Sequence, residues 1–400
     1  MSQKSTTGTA PGKIGAGGTR NPRLGIVGGG QLARMTALAA APLGCEVVVL
    51  ERTADCPAAG VAKQVITGNW NEPVALMQLA GLVDVVSLEN EFVSADALEI
   101  MVRAGHRLHP GVKTLRLVQD KLEQKQTLAA AGLAVAEFAA VASPAELAEQ
   151  GKRLGWPVVL KARRNGYDGK GNFTVRAEGE IAEAWQTLGG DRQELYVEAF
   201  CPYVSELAVI ITRSADGSVA EYPVVETIQR NHICHVVKAP AAVRAEIAQA
   251  AARSAHRAIE AIDGVGSFGV EMFLLADGRV LINELAPRVH NSGHYTIEGC
   301  VCSQFENHVR AVLGWPLGSA ALRAPAAVMV NLLGAGPGSG APLGIERALT
   351  IPGGHVHVYG KATSSAGRKM GHVTALGASL AAAEATARQT AEAIQFGTKL

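Results

Sequence analysis

Between residues 23 and 51 the chain sets two short apolar runs, LGIV and EVVVL, on either side of GGG and the mixed stretch QLARMTALAAAPL. Continuous Val/Ile/Leu runs are the mark of parallel strands buried on both faces. The pattern predicts a strand over Leu24–Val27, a glycine turn, a helix over Gln31–Leu43 and a strand over Glu46–Leu50. A further run at Val83–Ser87 precedes LENEF, and strands alternate with helices to about residue 110, which predicts a doubly wound parallel sheet. Residues 120–155 read as helical and Ala-rich, ending at Gly155-Trp156-Pro157. Three β-rich stretches follow: PVVLKARRNGYDGKGNFTV, ELYVEAF and SELAVIITRSADGSVAEYPVVET. A helix over about 241–262 leads to SFGVEMFLLADGRVLINEL, which predicts a hairpin around Ala276-Asp277-Gly278. A Gly/Pro-rich loop (334–344), a small β-rich module around HVHVYGK and an Ala-rich helix close the chain.

The expected organisation is a disordered tail (1–22), a Rossmann-like N-terminal domain (23–112), a two-part central domain (113–316) and a C-terminal module (317–400). Composition agrees with a folded chain: 48% of the 400 residues are hydrophobic. With 37 Lys+Arg against 36 Asp+Glu, the net charge of +1 excludes the footprint of a non-specific nucleic-acid binder. No run of about 18 apolar residues predicts a membrane span, and residues 1–22 hold no apolar block of a secretory signal, so a cytoplasmic protein is expected. The six cysteines are scattered, and Cys300-Val301-Cys302 has no zinc-finger spacing, so reduced thiols without zinc are expected.

Four stretches carry chemistry. Gly28-Gly29-Gly30 joins a strand to a helix, and such turns present N–H groups to anions. A tight turn for packing, a phosphate seat and a nicotinamide site all fit it, with Glu51 placed as a ribose acid would be. Lys161 ends a strand just before RRNGYDGKGN, a glycine-punctuated loop able to close over phosphates, although it lacks the Walker pattern. Glu271 and Glu284 sit on opposite arms of the hairpin, where they can face one another. Two carboxylates among apolar residues call for a cation, and magnesium shared with phosphates suits them. Finally, NELAPRVHNSGHYT crowds Asn283, Glu284, Arg288, His290, Asn291, Ser292 and His294 into twelve residues, which suggests an anion site. The two histidines would need a helix to share a metal, and Asn291-Ser292-Gly293 argues against one.

Taken in order, GGGQLARM, QDKLEQK, GYDGKG, NELAPRVHNSGHYT, VMVNLLG and YGK followed by GRKMGH resemble the ATP-grasp superfamily. Within it they resemble the N5-carboxyaminoimidazole ribonucleotide synthase family over about Arg23 to Thr374, with NELAPRVHNSGH as the most discriminating stretch. The resemblance implies a mixed α/β and α+β ATP-grasp fold behind a Rossmann-like domain, with 113–316 as the ATP-grasp domain. It also implies ATP, bicarbonate and 5-aminoimidazole ribonucleotide as substrates, Mg2+, a homodimer, and no nucleic-acid or membrane partner. By the same resemblance Lys121 and Lys161 hold ATP phosphates, with Gly166, Tyr167, Asp168, Gly169, Lys170 and Gly171 as the covering loop and Asn172 also at the ATP. Glu198, Ala199, Phe200 and Cys201 line the adenine, Glu206 holds the ribose, and Asn283 adjoins the nucleotide. Glu271 and Glu284 carry magnesium, while Arg288, His290 and Asn291 handle bicarbonate or carboxyphosphate. Gln31, Leu32, Glu89, Tyr167, Asp168, Lys170, Lys361, Arg368 and Lys369 surround the ribonucleotide, and Asp168 is the expected proton acceptor. Two departures stand out: Ala33 replaces a usual Gly, and SLENEF replaces Thr-Tyr-Glu-x-Glu, leaving Glu89 and Glu91 both open as substrate ligand. The competing expectations are a formate-dependent glycinamide ribonucleotide transformylase-like enzyme, a Rossmann oxidoreductase and a non-catalytic ATP-grasp scaffold.

Overall fold

A computed structural model describes residues 20–166 and 171–397. The loop residues Tyr167, Asp168, Gly169 and Lys170 lie outside that range. The N-terminal unit is a four-stranded sheet of β1 (Arg23–Val27), β2 (Glu46–Glu51), β3 (Gln64–Thr67) and β4 (Val85–Leu88) in the order β3-β2-β1-β4. Every pair is parallel, as the apolar runs predict. The first helix is shorter than its pattern: it spans Gln31–Ala40 and tightens into a 3-10 turn at Ala41–Leu43. Pro42 lacks the N–H that would continue it, and Gly44, at φ +69°, turns the chain into β2. One face of this sheet packs against Val309, Val312 and Leu313 of the helix Gln304–Leu313, which ties the unit to the rest of the chain. At the same junction His308 Nε2 lies 2.9 Å from Ser87 Oγ.

The stretch 120–155 is not one helical block. Lys121–Ala130 and Pro144–Leu154 are helices, and β5 (Phe138–Val141) lies between them. The alanines conceal the break, but Gly132 at φ +69° ends the first helix, while Ser143, accepting from Glu146 N, starts the second at Pro144. Three further strands, β6 (Val158–Ala162), β7 (Asn172–Val175) and β8 (Leu195–Ala199), join β5 in an antiparallel sheet of order β5-β8-β6-β7.

The second sheet of this central part holds β9 (Tyr203–Arg213), β10 (Val219–Glu221), β11 (Val225–Arg230), β12 (Ile233–Ala239), β13 (Gly266–Leu275) and β14 (Val280–Ala286). The helix Ala245–Ala261 covers it through Ala251, Ala255, Ala258 and Ile259, all buried against Phe268, Val270 and Ile211. The C-terminal strands are β15 (Ala326–Leu333), β16 (Gly338–Ser339), β17 (Gly354–Val358), β18 (Thr363–Ser364) and β19 (Lys369–Gly377), and three of them extend this same sheet. β16 and β18 pair with each other, while β15 docks on β12 and carries β19 and β17 beyond it. Residues 326–332 of β15 are buried throughout, so this strand needs cover on both faces. The helix Leu380–Glu392, capped by Ser379, helps to supply it through Ala383 and Ala387. Among the described residues no helix is long and apolar enough to cross a membrane.

Candidate active site

The two hairpin carboxylates meet because of one irregularity. Leu274↔Val280, Phe273↔Leu281 and Met272↔Ile282 pair in a regular antiparallel register, then the register shifts and Glu271 pairs with Glu284. Asn283 is the extra residue of this bulge. Without it Glu284 would face the opposite side of the sheet from Glu271. Burial first, and then the charge of Glu284, push Glu271 up to about 8. Burial presses Glu284 the same way, but Lys121 outweighs it and holds the carboxyl below its usual range. Lys121 Nζ donates to Glu284 Oε2 at 2.6 Å.

Lys121 belongs to a helix that lays a polar edge on β14. From this helix Lys125 Nζ donates to Ile282 O, and Gln124 Oε1 accepts from Leu285 N. The helix is capped by Asp120, whose side chain is fully buried and accepts from Leu122 N and Glu123 N. The same carboxylate receives Arg163 through Nε and Nη2, at 3.1 and 2.6 Å, and Arg164 at 3.2 Å. Arg163 O also accepts from Lys121 N at 2.8 Å. Asp120 thus joins the root of the glycine loop to the helix that carries Lys121. On the other side of that root, Lys161 Nζ donates to Glu198 Oε2 at 2.9 Å, with Lys125 and Tyr196 on Oε1. Burial raises Glu198, but Lys161 and Lys125 overcome it and hold it near 2. The Glu198 side chain is therefore committed to two lysines and Tyr196. Phe200 and Cys201 continue past β8, and Glu206 sits on β9 opposite Thr227 and Phe273.

Arg288, His290 and Asn291 lie just past β14. Arg288 forks onto Glu91, with Nε to Oε2 at 2.7 Å and Nη2 to Oε1 at 3.2 Å. That bidentate pair occupies Glu91 and leaves Glu89 as the acid facing the glycine turn. Glu89 Oε1 accepts from Leu32 N at 3.3 Å, and Glu51 Oε2 accepts from Gly29 N at 2.8 Å. The turn expected to offer N–H groups to a phosphate thus has two of them bound to carboxylates. A Cβ on Gly30 would lie 2.3 Å from Glu89 Oε1, so glycine is required there for the acid to reach the helix end. Burial raises Glu89 to about 7, with Arg288 opposing. His290 Nε2 lies 3.3 Å from Glu271 Oε1, and burial together with Arg288 lowers the imidazole to about 3, so it is neutral.

Two buried amides unforeseen in the sequence hold this loop. Gln304 accepts from His290 N at 2.9 Å and donates to His290 O at 2.7 Å. Asn331, on β15, pairs reciprocally with Asn291 at 3.0 and 2.7 Å. The QDKLEQK and VMVNLLG motifs contained Asp120, Lys125 and Asn331, but nothing in their spacing showed what each would touch. Of the C-terminal cations, Lys369 is near enough to oppose the rise of Glu271 and to lower His290. Lys361 Nζ donates to Lys369 O at 2.7 Å, and the exposed Arg368 donates to Thr363 O.

Most of these side chains come from three regions that each match a known domain family, while Asp120, Lys121, Gln124 and Lys125 fall between the first two. Residues 22–119 match the ribonucleotide synthetase preATP-grasp domain, 126–305 the ATP-grasp domain, and 327–386 the phosphoribosylaminoimidazole carboxylase C-terminal domain. The N5-carboxyaminoimidazole ribonucleotide synthase of Synechococcus elongatus is 41% identical over 352 residues, covering 88% of both chains. The chain belongs to the N5-carboxyaminoimidazole ribonucleotide synthase family of ATP-grasp enzymes. The family enzyme of Mycobacterium bovis is 40% identical, covering 90% of this chain and 85% of its own. The phosphoribosylaminoimidazole carboxylase of Ogataea methanolica is 44% identical, but this chain spans only 67% of its length, and 65% of the Vigna aconitifolia protein. Among solved structures, the Aspergillus clavatus carboxyaminoimidazole ribonucleotide synthase complexed with ATP has a TM-score of 0.85 at 39% identity, covering 93% of this chain and 98% of that one. The Thermotoga maritima enzyme has a TM-score of 0.85 at 37% identity, with 94% and 99% covered. The fold expected from the sequence, an ATP-grasp core behind a Rossmann-like domain, is the fold of this synthase family.

Proposed function

We propose that this chain uses ATP to couple bicarbonate to the amine of 5-aminoimidazole ribonucleotide, giving N5-carboxyaminoimidazole ribonucleotide, ADP and phosphate in purine biosynthesis. The observation that carries the reading is the cluster at the bulge: Glu271 opposite Glu284, Lys121 on Glu284, and His290 on Glu271. Supporting it, an Aspergillus clavatus relative is described in complex with ADP and 5-aminoimidazole ribonucleotide. The match of residues 327–386 to the carboxylase C-terminal domain favours it over a formate-dependent sister enzyme.

Bicarbonate is a poor electrophile. Attack of a bicarbonate oxygen on the γ-phosphorus, with ADP leaving, gives carboxyphosphate, a mixed anhydride. The amine then attacks its carbonyl, or the CO2 it releases; phosphate leaves and one N–H proton is lost. Such transfers depend on position and charge neutralisation more than on covalent help. Lys121 and Lys161 are the cations for the transferred phosphoryl group, and each now rests on a carboxylate. Arg288 and the neutral His290 supply donors for the bicarbonate-derived anion, while Asp168, outside the described residues, is the proton acceptor of this reading. Glu271 and Glu284 fit Mg2+, since two half-buried carboxylates face one another and Glu271 is raised to about 8; bound there, the ion would neutralise the triphosphate. A homodimer and a cytoplasmic location belong to the same reading. The test is ADP release with bicarbonate, with and without 5-aminoimidazole ribonucleotide. Release that needs the ribonucleotide and yields its carboxylated product is expected, and release indifferent to it rejects the proposal.

A further inference from the structure

We infer that Asn331 is a positioning residue that decides which face of the Asn291 amide the bicarbonate-derived anion meets, an inference that rests on the proposed function. Asn331 stands on β15, a strand of the C-terminal module, is 4% exposed, and belongs to VMVNLLG, a motif to which no role in the reaction is otherwise given. Its Nδ2 donates twice: to Cys234 O at 2.9 Å and to Asn291 Oδ1 at 2.7 Å. Its Oδ1 accepts from Asn291 Nδ2 at 3.0 Å.

The order of constraint follows from donor and acceptor chemistry. A backbone carbonyl only accepts, so Cys234 O fixes which end of the Asn331 amide is nitrogen. With that end fixed, the reciprocal pair fixes the Asn291 amide as well. Reversed, Asn291 would set N–H against N–H and oxygen against oxygen. Among the described residues the second N–H of Asn291 makes no other hydrogen bond, so it is the donor left for a ligand. An anion offered oxygen instead of N–H would be repelled. Cys234 lies on β12 and Asn331 on β15, neighbouring strands of the large sheet, so the constraint is built on rigid elements. The C-terminal module therefore acts on the anion subsite as well as on the ribonucleotide.

The test is a double-mutant cycle read by ADP release, with bicarbonate, ATP and 5-aminoimidazole ribonucleotide each varied. Asn331→Ala is expected to raise the KM for bicarbonate about tenfold, the worth of one lost hydrogen bond, with the KM for ATP within about twofold of wild type. Because Asn331 acts through Asn291, the double variant should be no worse than Asn291→Ala alone. Additive losses, or equal shifts in both KM values, would overturn the inference, since a purely structural asparagine behaves that way. Should Asn331→Ala aggregate, Asn331→Asp keeps volume and the acceptor oxygen but cannot donate both bonds, and the same selective shift is expected. An unchanged bicarbonate KM there also overturns it. If the wild type needs the ribonucleotide but neither asparagine matters, only this inference fails. If the wild type releases no ADP with these substrates, the proposed function and the inference fall together.

Discussion

Lys121 on the helix Lys121–Ala130 and Glu284 on β14, 163 residues apart in the chain, meet at 2.6 Å between Nζ and Oε2. The lysine is held by the carboxylate that also faces Glu271, so the cation proposed for the phosphates and the acids proposed for the metal form one unit. Glu284→Gln should bind ATP yet lose turnover by several orders of magnitude, because a weakened metal seat and a misplaced lysine both affect the γ-phosphoryl group. Turnover within tenfold of wild type at saturating magnesium would remove Glu284 from that role.

Arg368 is exposed, and its guanidinium rests on Thr363 beside the Lys361–Lys369 contact. If it grips the ribonucleotide phosphate, Arg368→Ala loses one charge-assisted contact worth about 1.5–3 kcal/mol. That corresponds to a rise of roughly 10- to 150-fold in the KM for the ribonucleotide. The KM values for ATP and bicarbonate should barely move. Three Michaelis curves on one variant decide it, and a selective change in the ATP curve contradicts the assignment.

Asp120 couples the loop root to the lysine helix, and Asp120→Asn separates its two tasks. Asparagine still caps the helix, whereas Arg163 and the exposed Arg164 lose their buried anion. The variant should stay folded but lose about 1.5–3 kcal/mol of stability, with a raised KM for ATP and an unchanged KM for bicarbonate. Urea unfolding and steady-state kinetics on the same preparation check both halves. A change in stability with no change in ATP KM would reduce Asp120 to a structural cap.

Glu89 gives a pH-dependent signature. Its folded value, about 7, lies above the ordinary 4.5, so the folded state holds the proton more tightly. Stability is therefore unaffected below about pH 4.5, falls as pH rises from there to 7, and stays lower above that. The loss approaches about 3 kcal/mol, from roughly 2.5 pKa units at 1.36 kcal/mol each. Glu89→Gln should thus be more stable than wild type at pH 8, equal to it near pH 4.5, and weaker in ribonucleotide binding. Denaturant curves at the two pH values test the sign, and equal midpoints at pH 8 would show that the carboxyl is not strained by burial.

The sequence by itself determined the parts whose signals are local. Parallel strands buried on both faces left unbroken Val/Ile/Leu runs, so β1, β2 and β4 fall within a residue or two of their expected places. The Asp277-Gly278 turn fixed a hairpin, and the ordered motifs identified the family that the relatives bear out. The Ala-rich stretch hid β5, because alanine is at home in a helix and tolerated in a strand, so the breaks at Gly132 and Ser143 were outweighed. What only the tertiary structure decided are relationships between segments far apart in the chain. Hairpin symmetry brought Glu271 and Glu284 near each other, but the bulge at Asn283 put them on one face, and a bulge has no reliable sequence mark. Glu91 and Glu89 are chemically equal in the sequence; Arg288, 197 residues from Glu91, occupies one and leaves the other. Asp120, Gln304 and Asn331 read as unremarkable polar residues because a hydrogen bond depends on where the fold brings its partner, and those partners lie on other elements. The C-terminal strands likewise read as a separate module, since strand pairing is satisfied across space, and β15 found its open edge on β12.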